Sequence, residues 1–293
     1  MTDSELHELR RHKWRLDGRP VRAVEEAREF MESVGFCLMF PVAVQGAAAG
    51  IVLPTLIGAW NGGEENLPTR QKAFADPRAH EATELAVRLL RERSAYEASV
   101  FGEDNLLVAA SVFPYFYALA GDRNPRQDPR SDRSLSPLGQ DVFGAIQRAG
   151  PVTKRRLAET LGGALSEAAM DRALSELAAR LRITRVDYNP RDGSFWDVLY
   201  RWSPDAVNEG MHLSVAVALS ALLSKYLDCV IAAEEKEIAD FFSPLAARSK
   251  VKEALNALLA ARELEFVHVG KRTLVQVAPA RTTERARNSR RRA

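Results

Sequence analysis

A chain of 293 residues is long for a single hydrophobic core and predicts two or three small domains. Its apolar (46%) and charged (27%) shares are ordinary for a globular fold. Cys37 and Cys229 stand alone without a CxxC, and five scattered histidines form no HExxH, which excludes a disulfide framework or metal site. No metal or cofactor is therefore expected, and a reducing compartment, the cytoplasm, fits best. The net charge of +2 hides an asymmetry, because Ala280–Ala293 carries six arginines against one glutamate while the body is slightly acidic. Such a tail suits nucleic acid, and equally a solvated, disordered end.

Residues Met1–Arg19 are polar and read as a short helix or arm, with Trp14 packing on its own domain. The charged N-terminus, through Arg22, is unlike a secretory signal. Pro20 is read as opening a helix to about Ser33, with Val24, Ala27, Met31 and Val34 inward. From Glu32 to Glu64 there is no charged residue between, a run long enough to span a bilayer. Pro41, Pro54, Gln45 and six glycines, with a GxxxG at Gly46 and Gly50, argue against a spanning helix, and no membrane partner is expected. Asp76-Pro77 starts a helix to about Tyr96 through Ala82, Leu85, Ala86, Leu89 and Leu90. A hairpin follows, Tyr96–Phe101 and Leu106–Ala110, around a four-residue loop at Gly102–Asn105. The aromatic cluster Phe113–Tyr117 suits base stacking, but core packing is the better reading.

Asp122–Ser134, with two prolines and no large apolar side chain, reads as a linker. Next, Ser136-Pro137 caps a helix ending at Gly150, and Val152-Thr153 precedes a short helix stopped by Gly162-Gly163. Ser166 caps a longer helix through Met170, Leu174, Leu177 and Leu181. Strands Ile183–Tyr188 and Phe195–Trp202 flank the turn Asn189–Gly193. After Ser203-Pro204, an apolar helix Leu213–Ile231 leads to a last copy, with a short helix Glu234–Phe242. Ser243-Pro244 is read as the cap of a helix with Val251, Leu255, Leu258 and Leu259 inward. The period then changes to two on both sides of Gly270-Lys271, a two-residue hairpin turn. Helix, turn, helix and two-stranded wing is the order of a winged helix-turn-helix. The wing turns near Asp104, Asp192 and Gly270 recur at similar spacing and support an internal repeat, clearest in the second and third copies.

A DNA-reading helix needs an outer face of cations and amides. In the last copy Arg248, Lys252 and Asn256 share one face beside Ser249 and Lys250, and Lys271 and Arg272 crown the wing. The competing reading is a solvated helix face. In the second copy Glu167, Asp171 and Glu176 outnumber Arg172 and Arg180, so that helix is expected to pack on another domain, while Lys154, Arg155 and Arg156 offer a phosphate clamp. There is no P-loop, no GxGxxG after a strand, no GxSxG and no acid pair in an evident pocket. Asp104, Glu97 and Asp128 are candidate acids with nothing beside them in sequence to mark catalysis.

The helix starts Ser136–Leu138 and Ser243–Leu245, and the final EIADFF…ARSKVKEALNALLA…LEFVHVGKRTLVQV, resemble the winged-helix DNA glycosylases of the AlkZ/YcaQ type. The stretch Phe40–Gly62, FPV…LPTLIGAWNG, is similar to a smaller, AlkZ-related branch, and the likeness covers most of Val21–Ala278. It implies tandem winged helices and a Gln-x-Gln or Gln-x-Asp motif after the first helix. The comparable stretch here, Val34–Met39, has no Gln, Asp or Glu, so no catalytic residue carries over. The family's C-terminal β-barrel is also not expected after the third wing.

The expectation is thus a mainly helical α+β chain of tandem winged helices. Its parts are an N-terminal winged-helix-like domain at 1–121, a linker at 122–134, winged helices at 135–205 and 206–279, and a basic tail at 280–293. Its expected function is binding of double-stranded DNA without catalysis. The alternatives are a DNA glycosylase acting on alkylated or crosslinked bases, and a protein-interaction scaffold working through the second winged helix.

Overall fold

The computed structural model describes residues 1–41, 52–70, 75–101, 104–162 and 165–279. The GxxxG at Gly46 and Gly50, Gly163 and the arginine tail lie outside these residues. The chain opens with α1 (Asp3–Lys13) and then runs through one unit three times. The first unit is α2 (Val24–Val34), β1 (Phe36–Leu38), α3 (Leu56–Asn61), α4 (Pro77–Arg91), β2 (Ala95–Phe101) and β3 (Asp104–Ala109). After α5 (Phe113–Ala120) comes the second: α6 (Pro137–Ala149), β4 (Val152–Thr153), α7 (Lys154–Leu161), α8 (Glu167–Ala179), β5 (Ile183–Asn189) and β6 (Gly193–Val198). Helices α9 (Leu199–Trp202) and α10 (Pro204–His212) connect to the third: α11 (Val215–Val230), β7 (Ala232–Ala233), α12 (Glu235–Phe242), α13 (Arg248–Ala260), β8 (Leu264–Val269) and β9 (Arg272–Val277). In every unit the short first strand pairs antiparallel with the last, giving the sheet order first–third–second. The same order of helices and strands, with the same strand pairing, recurs three times in an α+β chain. The first copy, obscure in sequence, has the same pairing as the others, and its long insertion falls in sequence between β1 and α3.

Helix starts follow side-chain chemistry. Asp76, Ser136 and Ser166 each accept an N–H from the first turn of α4, α6 and α8. Four expected boundaries are corrected. The second helix begins at Val24 and not at Pro20, because Glu26 caps the N–H groups of Arg22 and Ala23, while the Val21 N–H bonds Ala59. Helix α4 stops at Arg91, the chain reverses at Arg93 with φ +58°, and Tyr96 lies in β2. Leu199–Trp202 is helical, because Tyr200 and Trp202 pack on the first core and leave the sheet. Ser243 caps no helix start. Its N–H bonds Asp240 and those of Leu245 and Ala246 bond Phe242, so Ser243–Ala247 is the turn between α12 and α13. The hairpin of the first wing is also tighter than expected, since Phe101 pairs directly with Asp104.

Two large cores, and a small cluster of Leu6 with Ala232, Val269 and Leu274, organise the described residues. One, within the second unit, gathers Val142, Phe143, Ile146, Leu157, Leu174, Leu177 and Ile183. The other runs through the first and third units together, joining Phe30, Met31, Phe36 and Phe116 to Leu222, Tyr226, Phe241 and Leu255. At this junction Phe241 stacks on Tyr226 at 4.4 Å and meets Phe36 edge-on at 5.7 Å. Lys225 donates to the Glu32 and Ser33 carbonyls at the C-terminal end of α2, a favourable place for a cation. Its stem crosses Gly35, where φ is +75° and an added Cβ meets Lys225 at 2.6 Å, so two constraints call for glycine.

Helix α1 closes the end of α11. Arg10 donates to the Val230 and Ala232 carbonyls, and buried Trp14 to that of Cys229 at 2.8 Å. The aromatic cluster is core: Phe113, Phe116 and Tyr117 are buried in α5. Segment 122–134 is tied down, since Asp122 and Asp132 both pair with the buried guanidinium of Arg182. Among the described residues no single helix is long and apolar enough to cross a membrane.

Candidate nucleic-acid interface and adjoining cavity

The ten cations and polar residues singled out as DNA-facing fall into three groups. On α13, Ser249, Lys252 and Asn256 are exposed on the side away from the buried Val251, Leu255 and Leu258. Among the described residues none of the three has an ion pair or side-chain hydrogen bond. Arg248 is held by Asp240 at 2.6 Å and Lys250 by Glu253 at 2.8 Å. The Lys236 hydrogen bond, then the charges of Lys236 and Arg248, keep the Asp240 carboxyl below its ordinary range.

At the third wing, Lys271 is exposed and without a partner among the described residues, while Arg272 pairs with Asp3 of α1 and, at 3.7 Å, with Glu234. The Asp3 bond raises the Arg272 pKa. In the second unit the whole basic run is neutralised. Lys154 reaches both Glu167 and Asp171 at 2.8 Å, Arg155 meets Asp192 at 3.0 Å and Arg156 meets Glu159 at 3.2 Å. Burial opposes the Lys154 charge, but the bonds to Asp171 and Glu167 outweigh it and raise its pKa.

The three helices at the reading position of a winged helix therefore differ in surroundings. Helix α4 lies against β5, and α8 against β2, so each is partly covered by a neighbouring unit. Helix α13 packs within its own unit on α11, α12 and β8, and its outer face is open.

Where α4 and the first sheet meet the second wing there is a cavity of about 580 Å³. Leu38, Met39, Phe40, Ala86, Val87, Leu90 and Leu107 form its apolar walls, and His80, Thr83, Glu97, Arg185, Tyr188 and Ser194 its polar ones. A narrower space of about 240 Å³ shares His80, Thr83, Val87 and Tyr188 with it and extends past Arg88 and Arg91. The volume is that of a small-molecule or nucleobase site.

Sequence reasoning named Glu97 only as an unsupported acid and missed Arg185. The fold brings them together: Glu97, mid-strand in β2, is 9% exposed, and its Oε2 lies 3.2 Å from Nε of Arg185 on β5. The approach lacks hydrogen-bond geometry, and both atoms are buried without a hydrogen-bond partner. A bulge between Arg185 and Asp187 re-aims the strand here, and the Arg185 guanidinium also lies 5.6 Å from the centre of the Trp196 ring. The only signal in sequence was a charged residue inside a strand. Of the other candidate acids, Asp128 caps the turn Pro129–Ser131, and Asp104 lies in β3 opposite Phe101.

A profile of the family described as DNA glycosylase AlkZ-like matches residues 67–293. The chain belongs to the AlkZ-like DNA glycosylase family. This AlkZ-like chain also shares its fold with a solved structure, the Streptomyces sahachiroi DNA glycosylase AlkZ, with a TM-score of 0.58 at 15% identity, over 94% of this chain and 70% of that one. No curated protein matches significantly. Membership of the AlkZ-like family supports DNA binding connected with repair. The stretch at which the resemblance places the Gln-x-Gln or Gln-x-Asp motif is the end of α2 and β1, where Phe36, Cys37 and Leu38 are all buried and Leu38 and Met39 border the cavity.

Proposed function

We propose that the protein binds double-stranded DNA in the service of repair, through the open face of α13 and the tip of the third wing, without breaking a glycosidic bond. The observation that carries this reading is the outward face of α13. Ser249, Lys252 and Asn256 stand one turn apart, unengaged by other described residues, while the two other helices at that position lie against neighbouring units. A hydroxyl, an ammonium and an amide in that spacing suit phosphate and base-edge contacts in a major groove. The apolar β1, where the resemblance implies an amide or carboxylate, favours binding over catalysis.

The test is fluorescence anisotropy of a labelled duplex against salt concentration. It is run for the full chain, for a chain ending at Ala280, and for Lys252→Glu with Lys271→Glu. The double reversal is expected to weaken binding at least tenfold and to flatten the salt slope in both chain lengths. Unchanged affinity removes the assignment of this face. Binding that disappears only with the arginine tail assigns the affinity to the tail.

One observation favours a second reading, a glycosylase. The cavity holds a buried carboxylate, Glu97, and an enzyme that opens a glycosidic bond needs a group that activates water or stabilises a sugar cation. Release of an alkylated base by the purified protein, lost in Glu97→Gln, supports it. Silence across a panel of lesions returns the assignment to binding. Under this second reading the cavity receives a base of the bound DNA.

A further inference from the structure

Helix α1 stands outside the three repeated units and docks on the third wing. Leu6 is buried against Val269 and Leu274 of β8 and β9, and Arg10 and Trp14 hold the helix on the end of α11 and on β7. This anchoring sets Asp3, at the first position of α1, over the wing turn. Asp3 Oδ1 lies 2.5 Å from Nη2 of Arg272, and Oδ2 lies 2.9 Å from where a Cβ on Gly270 would stand. A carboxylate therefore rests on the turn itself, and the missing Cβ of Gly270 leaves it room. The second wing brings its own acid, Asp192, to its turn, where it holds Arg155. The third turn, Gly270–Arg272, has two cations and no acid, and its counter-charge comes from the other end of the sequence.

We propose that the turn Gly270–Arg272 is a phosphate-binding site and that Asp3 occupies it in the free protein, so that a DNA phosphate and the Asp3 carboxylate compete for Arg272. This rests on the reading that the third wing meets DNA. A carboxylate and a phosphate present the same feature to a guanidinium, oxygens sharing a negative charge, and a turn without a Cβ lets either approach closely. Glu234, at 3.7 Å, is too distant to hydrogen-bond Arg272, which leaves Asp3 as its one close partner among the described residues. The strength of that contact suits exchange. Asp3 is 66% and Arg272 46% exposed, and an ion pair so open to water is weak, so a duplex can displace the acid at a few-fold cost in affinity. The proposal has a definite sign. An acid that oriented Arg272 towards DNA would strengthen binding, whereas an acid that fills its phosphate site weakens it.

Anisotropy of a labelled duplex at low and high salt is compared for the full chain, Asp3→Asn, Arg272→Ala and the two substitutions together. Asp3→Asn is expected to bind about threefold tighter at low salt, with the gain shrinking at high salt. The double variant is expected to bind no tighter than Arg272→Ala alone, because the gain passes through Arg272. Glu8→Gln removes an acid elsewhere on α1 and is expected to leave affinity nearly unchanged, which separates the contact from net charge. Thermal unfolding of Asp3→Asn is expected to match the full chain, since Leu6, Arg10 and Trp14 still dock the helix. Unchanged or weaker binding by Asp3→Asn, an equal gain in Glu8→Gln, or the same gain with Ala at position 272 overturns the proposal. Weakening by Lys252→Glu with Lys271→Glu then shows that the DNA reading stands without it. If neither the full chain nor Asp3→Asn binds a duplex, both fall.

Discussion

The first unit meets its two neighbours in opposite ways. Against the third it shares one apolar core, in which Phe36, Tyr226 and Phe241 interlock and the main charged group, Lys225, sits at a helix end made for it. Against the second it also meets ionic partners, Arg91 with Asp187 and Glu97 with Arg185, and there the cavity lies. Apolar side chains without directional demands fill space to crystal-like density. Ion pairs hold surfaces together at fixed points and leave room between them. The junction that is poorer as packing is the one able to take a ligand, while the fused core gives the first wing a rigid base.

The largest expected effect breaks the fused core. Phe241→Ala is expected to cost about 4 kcal/mol, and thermal unfolding followed by near-ultraviolet dichroism is expected to show the first and third units melting together. Separate transitions would divide the core in two. Next comes Arg182→Ala, which leaves the half-buried Asp122 and buried Asp132 without their shared cation. About 3 kcal/mol is expected from denaturant midpoints, with faster proteolysis within 122–134. An unchanged midpoint and cleavage rate would make that segment a free linker after all.

A third prediction concerns the thiols at the apolar junction. Burial pushes Cys229 up to about 12 and raises Cys37 as well. In the unfolded chain a thiol ionises near pH 8.5, so the unfolded state loses these protons first and stability is expected to fall as pH rises from about 8.5 towards 12. Native protein at pH 8 is expected to react negligibly with a disulfide reagent and denatured protein with both thiols. Fast native reaction would show that this core opens. The smallest effect belongs to Arg91→Ala, whose pair with Asp187 is exposed. About 0.5 kcal/mol, vanishing in high salt, is expected from the same midpoints. A larger cost would mean that this pair, too, holds the cavity closed.

Local chemistry made much of this fold legible in the chain itself. Asp76-Pro77, Ser136-Pro137 and Ser166 mark helix starts, Gly270-Lys271 marks a two-residue turn, and the apolar stripes of the second and third units name their own buried faces. Caps, turns and periodicity act within a few residues, so they survive without a partner. Ser243-Pro244 shows the limit: the same pair of letters closes a turn when Leu245 has a core to enter. What depends on residues far apart was decided only in three dimensions. Asp3 reaches Arg272 across most of the chain, Arg182 gathers two acids from the segment read as a linker, and Lys154 and Arg155 are paired by acids on other elements. Glu97 meets Arg185 only because the second wing docks on the first. Charge complementarity, and the polar atoms it leaves unmet, belongs to pairs of distant residues, and no local pattern encodes it.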